Sequence, residues 1–252
     1  MELKPLGKTG VMIPEIGLGT WKYRGGVEPL HQGIELGAFL LDTAEIYGTE
    51  DIVGQAIQGL RERVFVATKV SGAHLHYDEV LRAAEASLRR LGVDVIDLYQ
   101  IHWPNARVPI QETMRAMEVL VDRGQVRYIG VSNFSLHELR AAQQAMRTYP
   151  IVANQVLYNL NKRDIESDLL PYCQEQQITI LAYTPLDDGR LAVPGRSRPG
   201  QKERVLEAVT AEVQKTMAQV ALNWCTSRPY VIAIPKSNGV ERTVENCRAS
   251  DW

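Results

Sequence analysis

The stretch Leu40-Leu41-Asp42-Thr43-Ala44-Glu45-Ile46-Tyr47-Gly48 places an acid and a phenol directly after a short apolar run. The run at residues 38–41 is typical of a buried parallel strand, so Asp42 is predicted at the end of that strand and Tyr47 in the following turn. In α/β barrels and open α/β sheets, the carboxyl ends of the strands carry the chemistry. An acid–base site is therefore expected at this end of the strand.

Three further apolar runs also deliver a polar side chain at their ends: residues 64–68 lead to Lys69, residues 96–101 to His102, and residues 231–235 to Lys236. A phenol with its ordinary pKa of about 10 stays protonated near neutrality and can donate a proton to a carbonyl oxygen that is becoming an alkoxide. We expect Lys69 to lower the pKa of Tyr47, and Asp42 to hold Lys69 charged. His102 is expected to donate a hydrogen bond to the same oxygen.

Each of these four side chains alone has an ordinary structural explanation, such as a helix cap, a half-buried aromatic ring, a solvated strand end or a buried imidazole. All four close consecutive predicted strands, and their carboxyl ends meet at one rim of a sheet. Together they predict an active site.

Runs with helical spacing alternate with strand-like apolar runs along the whole chain. Ser135 and Glu138, for example, form a capping-box pattern that predicts a helix through Met146. Eight strands in this alternation predict the α/β class and, within it, a (β/α)8 TIM barrel. We expect one domain over residues 1–252.

Two features at the start of the chain add detail to the predicted barrel. Residues 4–16 contain a glycine-flanked Lys-Thr pair between short apolar pieces, which predicts an N-terminal β-hairpin able to plug one end of the barrel. Gly17 and Gly19 in the first strand predict a close approach of backbone or ligand. A dinucleotide-binding fingerprint is rejected there, because position 22 is lysine and no long apolar helix follows at once.

The end of the chain departs from a complete barrel. Residues 240–249 have the pattern of a short helix, and no eighth helix covering the last strand is apparent. We therefore expect the C-terminal helix to be missing and apolar surface to be left exposed. Either further residues beyond Trp252 or a second chain would then cover that surface.

Composition limits the classes of partner. The formal net charge of -2 and the apolar content of 45% favour a globular protein without general attraction for nucleic acid or an anionic membrane. No signal region or membrane-spanning run is apparent. The cysteines, Cys173, Cys225 and Cys247, lack metal-ligand spacing and fit a reducing compartment. We expect a cytoplasmic monomer or weak oligomer that binds a small molecule and no metal.

The chain resembles the aldo-keto reductase family of (β/α)8 barrels through motifs that follow in order over essentially its whole length: Asp42-Thr43-Ala44-Glu45-x-Tyr47-Gly48, Ala67-Thr68-Lys69, Leu98-x-x-Ile101-His102-Trp103, Gly130-Val131-Ser132-Asn133-Phe134, Asn154-Gln155, Tyr183-Thr184-Pro185-Leu186 and Ile234-Pro235-Lys236-Ser237. The resemblance implies hydride transfer from NADPH to aldehydes and ketones. It implies Tyr47 as the general acid, Lys69 and Asp42 as its support, and His102 as the group that places the carbonyl.

The same resemblance implies a coenzyme site. Ser132, Asn133 and Gln155 would bind the nicotinamide amide, and Tyr183 would stack on its ring. The adenosine 2′-phosphate would bind to Lys236, Ser237 and Arg242, with Glu245 and Asn246 near the adenine. Further implied coenzyme contacts are Thr20, Trp21, Asp42, Thr184, Pro185 and Leu186.

The substrate side is less defined by the sequence. Trp21 and Trp103, beside Tyr47 and His102, favour an apolar or aromatic body next to the carbonyl. The loop at residues 21–27 is short, and the C-terminal segment that shapes the substrate pocket in many family members is absent from the sequence. The loop at residues 189–200, which contains Arg190, Arg196 and Arg198, is either a solvated connection or a lid whose arginines meet a phosphate.

Three alternative functions would account for parts of the same sequence. A Schiff-base aldolase would use Lys69 as its nucleophile but needs no coenzyme phosphate site. Tyr158 and Lys162 have the spacing of a short-chain dehydrogenase, although no glycine-rich strand–helix turn opens the chain. A non-catalytic, coenzyme-binding subunit is the third, because some relatives of the family act in channel assemblies.

Overall fold

Two sheets are present in the computed structural model, which describes residues 1–193 and 200–252. The first is an antiparallel hairpin of β1 (Leu3–Pro5) and β2 (Met12–Pro14). The second is an eight-stranded sheet in which every neighbouring pair is parallel. Its strands, in spatial and chain order, are β3 (Leu18–Gly19), β4 (Leu40–Asp42), β5 (Phe65–Val70), β6 (Ile96–Ile101), β7 (Val126–Ser132), β8 (Ile151–Leu157), β9 (Thr179–Tyr183) and β10 (Val231–Ala233).

Helices follow the parallel strands, as the sequence predicts. In chain order they are α1 (Glu28–Glu35), α2 (Glu50–Ala56), α3 (Tyr77–Leu91), α4 (Ile110–Asp122), α5 (Leu136–Ala145), α6 (Leu169–Gln176), α7 (Gln201–Val213), α8 (Met217–Thr226) and α9 (Val240–Cys247). The predicted capping box is confirmed at α5, where the Ser135 hydroxyl accepts from the Glu138 N–H. None of the helices in the described ranges is both long and apolar enough to cross a bilayer.

The first and last parallel strands meet and close the sheet into a barrel. The Gly17 N–H donates to the carbonyl oxygen of Ala233 at 2.8 Å, and the Gly19 N–H donates to that of Pro235 at 3.0 Å. A Cβ atom at Gly19 would lie only 2.7 Å from the carbonyl oxygen of Ile234. At Gly19 the predicted close approach is therefore to backbone, which allows the barrel to close, whereas a Cβ atom at Gly17 would meet the side chain of Leu40.

The hairpin closes the amino-terminal end of the barrel. Leu6 and Ile13 are fully buried and pack with inward-facing strand residues such as Leu98 and Leu181. The Gly7 N–H donates to the Thr179 hydroxyl at 2.8 Å. The predicted plug is therefore present, and the opposite end of the barrel, at the carboxyl ends of the strands, is left to form a site.

The prediction of a missing C-terminal helix is wrong. Helix α9 follows β10 and packs against α1 and α8, the position of an eighth barrel helix. Residues Val231, Ile232 and Ala233 of β10 are fully buried, so the expected exposed patch is absent from that strand. The buried face of α9 contains Thr243, Asn246 and Cys247. Because that face is largely polar, apolar periodicity did not reveal the helix as part of the barrel.

Another helix differs in its boundaries. The pattern at residues 164–176 predicts one continuous helix, but a 3₁₀ turn at Asp164–Ser167 precedes α6. Pro171 has no N–H, so it is tolerated in the first turn of a helix and disrupts the interior of a longer one. The loop at residues 189–200, for which a solvated connection and a lid are both open, is described only in part, since residues 194–199, with Arg196 and Arg198, lie outside the described residues.

Candidate active site

The carboxyl ends of neighbouring strands bring the four predicted catalytic side chains together. Asp42 ends β4, Lys69 lies near the end of β5, and His102 follows β6 directly. Tyr47 ends the 3₁₀ turn Glu45–Tyr47, which lies between β4 and α2. The parallel pairing of β4 with β5 and of β5 with β6 aligns these ends at one rim.

Lys69 and Asp42 form a buried ion pair at the base of this group. Lys69 Nζ lies 2.6 Å from Asp42 Oδ1 and 2.8 Å from the carbonyl oxygen of Thr43, and the lysine is fully buried. Asp42 Oδ2 accepts a hydrogen bond from Gln155 Nε2 at 2.8 Å. Burial lowers the pKa of Lys69, while the Asp42 carboxylate acts in the opposite direction. The pair is thus held within a network of fixed donors and acceptors.

The hydroxyl of Tyr47 lies between the lysine and the histidine. It is 3.5 Å from Lys69 Nζ and 3.5 Å from His102 Nε2. Burial raises the pKa of Tyr47, and the negative charge of Asp42 adds to that rise. The expectation of a lowered pKa for Tyr47 is therefore wrong in this structure, because burial outweighs the stabilisation of the phenolate by Lys69. Because Asp42 neutralises Lys69 at 2.6 Å, the phenol faces an ion pair with little net charge and the effect of burial dominates.

His102 is a neutral imidazole near physiological pH. Burial, together with the positive charge of Lys69, lowers the pKa of His102 to about 4. Its backbone N–H donates to the carbonyl oxygen of Val70, which fixes the residue to the end of β5. The Tyr47 and His102 rings meet edge to face with centroids 5.4 Å apart. The site thus combines a neutral phenol and a neutral imidazole above a buried ammonium–carboxylate pair.

The residues predicted around the nicotinamide form a second hydrogen-bonded group. Asn133 Nδ2 donates to the carbonyl oxygen of His102 at 3.0 Å, and the Tyr183 hydroxyl donates to Asn133 Oδ1 at 2.8 Å. The Ser132 hydroxyl donates to the carbonyl oxygen of Gln155 at 2.9 Å. These contacts hold the amide and hydroxyl groups in place along one side of the rim.

A single cavity of about 620 Å³ joins the catalytic group to the predicted phosphate-binding residues. The predicted site residues that line it are Thr20, Trp21, Asp42, Tyr47, His102, Trp103, Ser132, Asn133, Gln155, Tyr183, Thr184, Pro185, Leu186, Lys236, Arg242, Glu245 and Asn246. Two predicted residues lie outside this lining. Lys69 is fully buried, and Ser237 lies in a small adjoining crevice.

The cavity also has lining residues that the sequence did not single out. Ile46 and Val193 add apolar surface, while Lys22 and Asp188 add charge. Ile46 is 55% exposed, comparable to the 50% of Trp21. The position of Ile46 between Glu45 and Tyr47 was a possible signal, because one turn exposes neighbouring side chains to the same opening. Lys22 and Asp188 adopt left-handed backbone conformations, with φ of 54° at each, which the sequence does not indicate.

Comparison with known proteins places the chain in a family. The family model described as "Aldo/keto reductase family" matches residues 15–252. The chain belongs to the aldo/keto reductase family. The methylglyoxal reductase YeaE of Escherichia coli (strain K12) is 41% identical over 248 residues, which cover 94% of this chain and 85% of YeaE.

Solved aldo/keto reductase structures share the fold. The thermostable aldo-keto reductase Tm1743, solved in complex with the inhibitor epalrestat, is 41% identical with a TM-score of 0.91, and the match covers 99% of this chain and 94% of that one. An aldo-keto reductase from Klebsiella pneumoniae, solved in complex with NADPH, is 39% identical with a TM-score of 0.89, covering 99% and 90% of the two chains. The (β/α)8 fold and the family expected from the sequence motifs are thereby confirmed.

Proposed function

We propose that this aldo/keto reductase transfers a hydride from NADPH to an aldehyde or ketone, with Tyr47 as the general acid. The observation that carries the proposal is the position of the Tyr47 hydroxyl, 3.5 Å from both Lys69 Nζ and His102 Nε2, beside a cavity that extends to Lys236 and Arg242. This arrangement joins a proton donor to a cationic binding region. The related structure from K. pneumoniae contains NADPH.

The residues at the far end of the cavity suit a phosphate group. Lys236 and Arg242 are exposed, and neither side chain has a hydrogen bond or ion pair to another residue in the described ranges. They flank the start of α9, whose N-cap residue Gly239 provides no side-chain cap. Two cations and a helix N-terminus together favour an anion. The aromatic face of Tyr183 and the Asn133 amide offer the contacts that a planar ring and its carboxamide need.

In this proposal NADPH, when bound, supplies the hydride that reaches the carbonyl carbon. Tyr47 keeps its proton until the reaction because its pKa is raised, and it then donates that proton to the carbonyl oxygen. The buried ammonium of Lys69 stabilises the phenolate that forms, and solvent restores the proton. The neutral imidazole of His102 can donate one hydrogen bond to the same oxygen and so orient the carbonyl.

The substrate side of the cavity favours a carbonyl compound with an apolar body. Trp21, Ile46 and Trp103 are 50%, 55% and 49% exposed, respectively, and all three line the cavity. The Trp21 ring lies 4.9 Å from the Tyr47 ring, so an apolar group beside it would be next to the proton donor. Dicarbonyl compounds belong among the test substrates, since the relative YeaE is named a methylglyoxal reductase.

The contacts of Lys69 argue against a Schiff-base aldolase. Its Nζ atom lies near three oxygens: Asp42 Oδ1, the carbonyl oxygen of Thr43 and the hydroxyl oxygen of Tyr47. An ammonium has three N–H donors, which match these three acceptors. A fully buried nitrogen in this network has no open side for attack on a substrate carbonyl.

The direct test is NADPH consumption, followed by absorbance, with a panel of aromatic, aliphatic and dicarbonyl substrates. We expect steady turnover with one alcohol formed for each NADPH consumed. Tight NADPH binding without turnover of any carbonyl would contradict the proposal and indicate a non-catalytic coenzyme-binding protein. Borohydride trapping of substrate on Lys69 without coenzyme would indicate an aldolase.

A further inference from the structure

The turn that carries Tyr47 has little support of its own. Residues Glu45–Tyr47 form one 3₁₀ turn with no fully buried residue, and the N-cap residue Ala44 provides no side-chain hydrogen bond. Short 3₁₀ turns have poor hydrogen-bond geometry and rarely hold their shape without other contacts. The position of the Tyr47 hydroxyl therefore depends on contacts from outside the turn.

The carboxylate of Glu45 makes two of those contacts. Glu45 Oε2 accepts a hydrogen bond from the backbone N–H of Ser71 at 2.8 Å, and Oε1 lies 2.6 Å from His74 Nδ1. The Glu45 side chain is only 15% exposed, so its bond from the Ser71 N–H is partly buried, whereas His74 is 49% exposed. Ser71 follows Lys69 by two residues. The carboxylate thus ties the turn that carries the phenol to the segment that carries the ammonium.

The turn that begins at Ser71 is itself attached to the loop that contains His102. Asn105 Nδ2 donates to the carbonyl oxygen of Gly72 at 2.9 Å. A Cβ atom at Gly72 would lie 3.2 Å from the carbonyl oxygen of Trp103, which shows how closely the two loops pack. The segment bonded to Glu45 is therefore in contact with the loops on both sides of it.

We propose that Glu45 is a positioning residue, which sets the place of the Tyr47 hydroxyl relative to Lys69 and His102. This inference rests on the proposed function of Tyr47 as the proton donor. Without the carboxylate, the turn still has its backbone bond from the Tyr47 N–H to the Ala44 carbonyl, the two 3.5 Å contacts of the Tyr47 hydroxyl and the ring contacts of Tyr47. The two hydroxyl contacts are at the limit of hydrogen-bond distance and hold the side chain loosely. A displacement of a reacting group by about 1 Å can lower a rate by as much as about 10²-fold.

The test compares Glu45→Ala and Glu45→Gln with a matched control, Glu112→Ala. Glu112 has the same type of contacts, because its Oε1 accepts from the Tyr77 N–H at 2.9 Å and lies 3.2 Å from His76 Nδ1. The contacts of Glu112 join α3 to α4 and do not involve the Tyr47 turn. Any effect specific to Glu45 should therefore be absent from the Glu112 variant.

We expect Glu45→Ala to lower kcat roughly 10-fold, with little change in KM, NADPH affinity or Tm. Glu45→Gln keeps an acceptor for the Ser71 N–H and should recover most of kcat, while Glu112→Ala should turn over like the wild type. Hydrogen exchange of the peptide covering residues 44–48 should accelerate in Glu45→Ala only.

Three results would overturn the inference: wild-type kcat in Glu45→Ala, an equal loss of kcat in Glu112→Ala, or a loss of kcat that follows a loss of Tm. Failure of the proposed function has a different signature, since the wild type itself would then reduce no carbonyl. In that case unchanged exchange at residues 44–48 in Glu45→Ala would also show that Glu45 does not hold the turn.

Discussion

The two ends of the cavity differ in how their charged side chains are satisfied. At the catalytic end, Lys69 and Asp42 are buried, bonded to each other and bonded to further residues. At the other end, Lys236 and Arg242 are exposed and make no ion pair with any residue that the structure describes. Buried charges require partners within the protein, whereas exposed charges can stay solvated until an anion binds. The charges of the first end are therefore fixed by contacts within the protein, and those of the second are available to an anion.

The largest expected effect is at the catalytic end. Tyr47→Phe removes the proposed proton donor and leaves Lys236 and Arg242 in place, so we expect kcat to fall about 10² to 10⁴-fold while NADPH affinity stays nearly unchanged. Tyr172→Phe is a control, because the Tyr172 hydroxyl bonds to Gln143, outside the cavity lining. Steady-state kinetics and fluorescence titration measure the two properties. Wild-type kcat in Tyr47→Phe would show that the acid is assigned to the wrong residue.

Asp42→Asn tests whether the buried ion pair is needed for both stability and turnover. It leaves the fully buried Lys69 without its counter-charge, and removal of one partner of a buried pair typically costs about 3 to 5 kcal/mol of unfolding free energy. We expect this loss together with a large fall in kcat, measured by urea denaturation and by assay under conditions where the variant is folded.

Asp97→Asn is the matched control for that substitution. Asp97 is also buried and pairs with Arg61 and Arg127, each at 2.8 Å, but it lies near the amino-terminal end of β6. We expect lower stability with kcat retained, and a smaller loss than in Asp42→Asn because the Arg61 and Arg127 side chains are 22% and 52% exposed. Equal loss of kcat in both variants would contradict a special role for Asp42.

A moderate effect is expected at the phosphate end. NADPH differs from NADH only in the 2′-phosphate, which we expect Lys236, Ser237 and Arg242 to bind, giving a preference of roughly 10 to 10³-fold after screening. Arg242→Ala should remove most of that preference by weakening NADPH, with NADH binding little changed. Arg248→Ala, just after the end of α9 and outside the cavity lining, is the control. A parallel loss of both coenzymes would show that Arg242 does not distinguish them.

The smallest expected effect is the pH dependence that comes from His102. Its pKa in the folded protein is about 4, below the ordinary 6.5. Between these values the unfolded chain binds more protons than the folded one, so the contribution of His102 to stability is lost as pH falls from about 6.5 to 4. Denaturation of the wild type and of His102→Gln at pH 7 and pH 5 should show a smaller difference between them at pH 5. A difference that is equal at both values would contradict the lowered pKa.

The sequence predicted the barrel and the catalytic group, but it did not predict the place of helix α9 in the barrel. Alternating apolar runs and the Ser135 cap predicted the barrel, because strands and helices have different periods and because capping is a local interaction. The motif around Asp42 and Tyr47 predicted the catalytic group, since parallel strands end at a common rim. Helix α9 was misjudged because its buried residues Thr243 and Asn246 are polar, and their burial depends on α1 and α8.

The sequence by itself determined the order of the elements, the family and the residue types at the rim, because all of these follow from local patterns and motif spacing. Only the tertiary structure decided the pKa of Tyr47, which burial raises although a lysine lies 3.5 Å from its hydroxyl. Likewise, only the fold brings the Glu45 carboxylate to the Ser71 N–H, 26 residues away in the chain. Desolvation and charge compensation depend on every group that surrounds an atom in space, and sequence spacing does not contain that information.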